Sequence, residues 1–199
     1  MSEPTAFRIL AAARSGLLAD GYVGLSTRRV AELAGVPLSQ IHYHFGGKQG
    51  LVLSLLNNEN QRLVARQRGM YSADAPLSKR YDQACDLLEE DLASGYVRVL
   101  QEMIAAGWSD PELAAQVLSM LRAWFEVLQE VAREAEARFG PLGPLTTDGI
   151  GGLIVLAFLG GEAVILLGDE EWSVQVRAWL RGIGDLIRER ETRSPDRDG

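Results

Sequence analysis

The chain has one cysteine and two histidines in 199 residues. Cys85 stands alone, so an internal disulfide framework is excluded. With no signal-peptide pattern at the N-terminus, a reducing cytoplasm is the expected setting. His42 and His44 are i, i+2 on an expected helix and point to different faces, so they cannot share a metal ion. The chain shows no Gly-rich phosphate loop, nucleophile elbow or His/Cys/carboxylate cluster. These gaps argue against an enzyme, and no cofactor is expected. No strand pattern and no internal repeat appear. Hydrophobic content of 47% and charged content of 24% fit a soluble globular protein.

Basic charge is also scarce: the net charge is −7, an unpromising balance for a partner of nucleic acid. Its distribution is uneven. The first 50 residues hold five basic side chains (Arg8, Arg14, Arg28, Arg29, Lys48) against three acidic ones. The other 149 hold 15 against 24. The small N-terminal face should attract phosphate and the acidic body repel it. So modest a positive patch predicts weak non-specific binding, with site choice resting on direct contacts and dimer geometry.

Residues 25–51, LSTRRVAELAGVPLSQIHYHFGGKQGL, read as two short helices joined by a tight turn, with a third helix following. Ser26 or Thr27 can cap the first by accepting a free amide of its first turn. Ala31 and Ala34 allow close packing, Gly35 supplies the left-handed stop, and Val36 plugs the turn. Pro37 or Ser39 opens the second helix, which runs to about His44. Ile41 and Phe45, spaced i, i+4, face the core. Leu38, Ser39, Gln40, His42, Tyr43 and His44 are left mostly outward, and Gly46-Gly47 ends the helix. A helix so furnished suits the major groove of double-stranded DNA.

These residues resemble the DNA-binding region of TetR-family transcriptional repressors over roughly 7–56. The resemblance runs through Ile9-Leu10, Ala13, Gly21, Leu25-Ser26-Thr27, Val30-Ala31, Ala34-Gly35-Val36, Ile41-His42-Tyr43-His44-Phe45, Lys48 and Leu51. His42 stands where that family most often has Tyr, and Gly46-Gly47 replaces a more typical polar pair. The resemblance implies an all-α fold. A three-helix helix-turn-helix domain (1–47) would precede a larger ligand-binding and dimerisation domain (48–190) and a disordered tail (191–199). Within the expected reading helix, Gln40 can pair bidentately with adenine, Ser39 can donate or accept, and Leu38 can touch a thymine methyl. His42, Tyr43 and His44 reach phosphate or base edges. Thr27, Arg28 and Lys48 clamp the backbone at helix starts.

Further along, helical spacing predicts a first helix over 5–20 with Phe7, Leu10, Ala13, Leu17 and Leu18 inward and Gly21 as its stop. A long helix follows over 48–68. Residues 78–106 are helical with a break at Ser94-Gly95. Ser109 or Asp110 caps a helix that runs from Glu112 to about Phe139, where Gly140-Pro141 stops it. Two more helices are expected over 147–167 and 171–190, making roughly nine in all.

The helix over 147–167 is nearly all apolar, as a membrane span would be. Its central Glu162, its small Gly160-Gly161 and the acidic Asp169-Glu170-Glu171 that follow argue against a span. Burial between its own domain and a second subunit fits better. The last helix carries Trp172, Val176, Trp179, Ile183 and Leu186 on one stripe. Two such helices from each subunit would form a four-helix bundle and a homodimer, which sets two reading helices on a palindromic operator.

Tyr96, Met103, Trp108, Met120, Trp124 and Phe125 gather aromatic and sulfur side chains in the middle helices. Such stripes are usually plain core. The family resemblance implies an apolar pocket there for a small apolar or aromatic effector. Glu162, Glu102, Arg98 and Arg122 are candidates for its orienting polar group. The rival reading is a helical ligand-binding or scaffold protein without a DNA function.

Overall fold

Glycines, prolines and short polar caps set the helix boundaries in the computed structural model, which describes residues 4–141 and 143–193. In chain order the helices are α1 Thr5–Gly24, α2 Thr27–Ala34, α3 Leu38–Phe45, α4 Lys48–Tyr71, α5 Leu77–Ser94, α6 Tyr96–Gly107, α7 Pro111–Phe139, α8 Thr147–Leu166 and α9 Glu170–Arg193. There are no strands among the described residues. The expected all-α architecture is therefore the one found.

The helix starts follow capping chemistry. Ser26 accepts the Arg29 N–H, Thr146 the Gly149 N–H at 3.1 Å, and Asp169 the Trp172 N–H at 2.9 Å. Asp110, rather than Ser109, caps α7, accepting from Glu112 and Leu113 at 3.1 and 3.0 Å. Gly21 does interrupt α1, through a non-helical backbone (φ 69, ψ 178), but the helical stretch resumes to Gly24. Phe7 is half-exposed rather than inward; Ile9, Ala13 and Leu17 fill that face instead. The expected tail at 191–199 is also corrected in part. Residues 191–193 belong to α9, because Glu191 accepts both the N–H and the hydroxyl of Ser78. Residues 194–199 lie outside the described part.

The chain divides into two compact units. One combines residues up to 62 with 94–120. Its core is Ile9, Leu17, Val30, Ile41, Leu51, Leu56, Val97, Met103 and Leu113, each almost wholly buried. Burial of one such side chain stabilises by roughly 1.5–3 kcal/mol. A buried polar relay completes it: the Tyr96 hydroxyl donates to Asn60 Oδ1 at 3.2 Å, and Asn60 Nδ2 donates to the Met120 carbonyl. Gly95, with φ of 81°, is required twice over, because a Cβ there would lie 1.8 Å from Leu18 Cδ2.

The other unit combines residues 63–93 with those from 121 onward. Phe158 of α8 packs edge-to-face against both Tyr81 and Trp124. Buried Arg80 pairs with Glu134 and donates to the Tyr71 carbonyl. Three ion pairs join α9 to α5: Arg177–Glu89, Arg181–Asp86 and Arg188–Asp82, at 2.7, 2.6 and 2.8 Å. Exposed pairs of this kind contribute at most about 1 kcal/mol each, so they fix register more than they stabilise. Among the described residues α8 is the one helix long and apolar enough to cross a membrane by length and composition. Yet its Glu162 is buried, and its Gly161 lies so close to α9 that a Cβ would come within 2.9 Å of Val176.

Candidate nucleic-acid interface

The interface begins with a cap and a stop. Ser26 starts α2, and Gly35 ends it in the left-handed conformation (φ 63, ψ 41). The N–H groups of Gly35 and Val36 return to the last carbonyls of α2, including Ala31. Pro37, extended at φ −60 and ψ 144, precedes α3, which runs for eight residues and is stopped by Gly46, again left-handed at φ 73. Ile41 is the buried anchor of α3, at 0% exposed. Phe45 and Val36 are only half-buried.

Anchoring through Ile41 leaves the rest of α3 facing away from the core. Ser39, His42, Tyr43 and His44 are exposed, Tyr43 by 81%, whereas Leu38 and Gln40 are half-buried. The rings of Tyr43 and His44 meet edge-on, 5.0 Å apart. Arg28 is exposed and Thr27 half-buried in the first turn of α2, and Arg29 leans on Glu32 at 3.5 Å. Lys48 opens α4. Its Nζ donates to the Val23 carbonyl at 3.2 Å and sits 4.7 Å from the centre of the Tyr22 ring. The structure thus brings the nine sequence-predicted DNA-contact residues to α2, α3 and the start of α4.

Sequence reasoning missed the groups that brace this region. Glu102 on α6 accepts the Tyr22 N–H just after the Gly21 kink, and Arg98 pairs with Glu102 at 3.1 Å while donating to the Leu18 carbonyl. Gln49 donates to Asp110 at 3.1 Å. The bonds to Tyr22, Leu18 and Asp110 join residues far apart in sequence and leave no local signal, whereas Arg98–Glu102 is an i, i+4 pair within α6. Arg98 and Glu102, considered above as orienting groups for an effector, are engaged here instead. An open, polar cleft of about 720 Å³ adjoins α3, walled by His44, Lys48, Asn57, Glu112, Gln116 and Met120.

The six aromatic and sulfur residues proposed for an effector, and Glu162 with them, do not fall in one unit. Tyr96, Met103, Trp108 and Met120 belong to the first, and Trp124, Phe125 and Glu162 to the second. Met103 is fully buried and Trp108 is 83% exposed. Trp124 is a core residue against Phe158, and Phe125 lies over Gly152. Arg122 is exposed. Among the described residues there is no group of three or more His, Cys, Asp and Glu placed to hold a metal ion.

Residues 9–55 match the family model described as bacterial regulatory proteins, tetR family. Over 187 residues the chain is 22% identical to the HTH-type transcriptional regulator UidR of Escherichia coli strain K12, covering 92% of this chain and 94% of that one. Among solved structures it is similar to a putative TetR-family transcriptional regulator from Rhodococcus sp. (TM-score 0.76, 21% identity, 92% and 97% covered). It is also similar to the transcriptional regulator FadR of Bacillus subtilis, solved with stearoyl-CoA (TM-score 0.73, 15% identity, 91% and 96% covered).

Proposed function

Taking as premise that the chain belongs to the TetR family of transcriptional regulators, we propose that it is a cytoplasmic, homodimeric repressor of a palindromic operator, released by a small-molecule effector. The observation that carries this reading is the division of α3: Ile41 is sealed in the core while Ser39, His42, Tyr43 and His44 stand in solvent. A helix merely covering a core has no need of hydrogen-bonding and aromatic groups on its far side. In this reading residues 1–47 read DNA and 48–190 dimerise and bind the effector. Gln40 and Ser39 address base edges, Leu38 a thymine methyl, and Tyr43, His42 and His44 bases or phosphate. Thr27, Arg28 and Lys48 hold the backbone.

Support for the dimer comes from what one chain leaves uncovered. Leu153, Leu156, Trp172, Trp179 and Leu186 of α8 and α9 are each more than half exposed. So much apolar surface on a single chain calls for a partner. A two-fold axis there would set two reading helices in successive major grooves, roughly 34–36 Å apart or a multiple of that. FadR of Bacillus subtilis holds stearoyl-CoA on the same fold, which supports an effector. The effector would favour a conformation in which α4 shifts and the separation of the reading helices changes, so its binding energy draws the population from the DNA-competent state.

Selection of genomic fragments by the purified chain, followed by sequencing, tests the reading. A recurrent palindrome is expected, bound less tightly as salt rises. Retention of all duplexes alike, or of none at moderate salt, would overturn it.

A further inference from the structure

The second unit contains a cavity of about 250 Å³ that uses none of the seven residues picked from the sequence. Its walls come from the last turn of α4, the start of α5, the end of α7, the start of α8 and the end of α9. Tyr71, Tyr81, Ala132, Ile154 and Ile183 line it, and Arg190 is its one ionisable side chain other than tyrosine. The Tyr81 hydroxyl is already spent on the Leu180 carbonyl at 3.0 Å. Burial pushes the Tyr71 hydroxyl well up, so it stays a protonated donor, and among the described residues it has no hydrogen-bond partner.

Arg190 differs from every other arginine of its helix. Arg177, Arg181, Arg188 and Arg193 are each paired with a carboxylate. Among the described residues Arg190 has none; its guanidinium makes one long bond, 3.5 Å, to the Pro141 carbonyl. The nearby acids are engaged elsewhere: Glu189 with Arg193, Asp185 with Arg188, and Glu191 with Ser78. A guanidinium that has no carboxylate partner among the described residues, beside an apolar hollow, is an arrangement that suits an anionic head joined to a greasy tail.

We infer that this cavity is a binding site for a small amphipathic carboxylate, its tail among Ala132, Ile154 and Ile183 and its carboxylate on Arg190. At the roughly 30 Å³ that a water-sized group occupies, the cavity holds on the order of eight non-hydrogen atoms. That is room for the hydrocarbon tail of a medium-length alkanoate, with its two carboxylate oxygens outside the hollow on Arg190, and not for a long acyl chain. The site stands whether or not the chain reads DNA, since it rests on cavity shape and charge alone.

Isothermal calorimetry on the full chain without DNA tests this, using octanoate, octylamine and stearate as probes. Octanoate should bind at least tenfold more tightly than octylamine, and stearate should bind worse than octanoate. Arg190→Gln, at an exposed position, should erase the preference for the carboxylate. Ala135→Phe should fill the hollow and abolish octanoate binding; if that variant fails to fold, Ile154→Trp fills it from the half-buried side. Equal binding of octanoate and octylamine, absence of binding at millimolar concentration, or an Arg190→Gln variant that keeps the preference would each overturn the inference. So would binding seen only when the chain is dilute enough to be monomeric, because a second copy would then be the occupant. None of these outcomes bears on operator binding, so the two readings fail separately.

Discussion

Glu102 accepts the backbone N–H of Tyr22, 80 residues earlier in the chain, just after Gly21 breaks α1. The backbone of Gly21 (φ 69, ψ 178) lies in a region open essentially to glycine alone. A Cβ there would also come within 3.1 Å of the same carboxylate. Gly21→Ala should therefore cost about 2 kcal/mol of stability, within the 1–3 kcal/mol typical of such strain. Glu102→Ala should cost roughly 1–2 kcal/mol, because it strands a partly buried amide. Denaturant titration followed by circular dichroism checks both. Glu102→Gln should recover part of the loss, since it keeps an acceptor.

Direct readout and folding should separate along α3. Gln40→Ala and Tyr43→Ala should each weaken binding to the selected operator by roughly 1–3 kcal/mol while leaving the melting curve almost unchanged. Ile41→Ala should do the reverse in origin, losing about 2–5 kcal/mol of stability through the cavity it opens. Gel shifts paired with thermal melts distinguish the two classes. A Tyr43→Ala variant with full operator affinity would remove Tyr43 from the interface.

Assembly is tested on α8 and α9. Leu156→Glu and Trp179→Glu place charge on apolar surface that the chain leaves exposed, 65% and 58% respectively. Each should shift sedimentation from dimer to monomer with helical content retained, and operator affinity should fall together with the dimer. Wild-type-like sedimentation of both variants would move the interface elsewhere.

Alkaline pH should destabilise the fold, beginning near pH 9. Burial pushes the Cys85 thiol from its ordinary 9.0 to about 11, against a lowering influence of Arg181, and it raises the Tyr71 and Tyr81 hydroxyls further still. An acid whose folded pKa is raised favours folding in its neutral form. Its contribution is complete below the unfolded pKa and is lost as pH rises toward the folded one. Denaturant midpoints at pH 8 and pH 10.5 should differ, the second being lower. At pH 8 Cys85 should also resist alkylation until the chain is unfolded, as mass spectrometry would show.

What the sequence disclosed follows the range of the forces involved. Ser26, Gly35 and Asp110 act on the amides and carbonyls nearest to them, so their roles could be read from neighbours alone. Ile41 was legible because helical spacing says which side of a short helix is buried. Glu102 to Tyr22 and Glu191 to Ser78 were not legible, since each joins helices far apart in the chain. The cavity beside Arg190 escaped for a related reason. Periodicity says which side chains turn inward, and not where five helices fail to meet. Phe7 was misplaced because Ile9, Ala13 and Leu17 already fill the inward face of α1.

Lys48 is held before any partner arrives, by the Val23 carbonyl on one side and the Tyr22 ring on the other. An ordinary surface lysine is a swinging arm, and stilling it on a ligand forfeits about 0.5–1.5 kcal/mol of rotamer freedom. Here that loss was taken when the head folded. In the proposed complex with DNA, a phosphate at the start of α4 would meet a charge already in place, one way for so sparsely basic a surface to bind a nucleic acid with few cations.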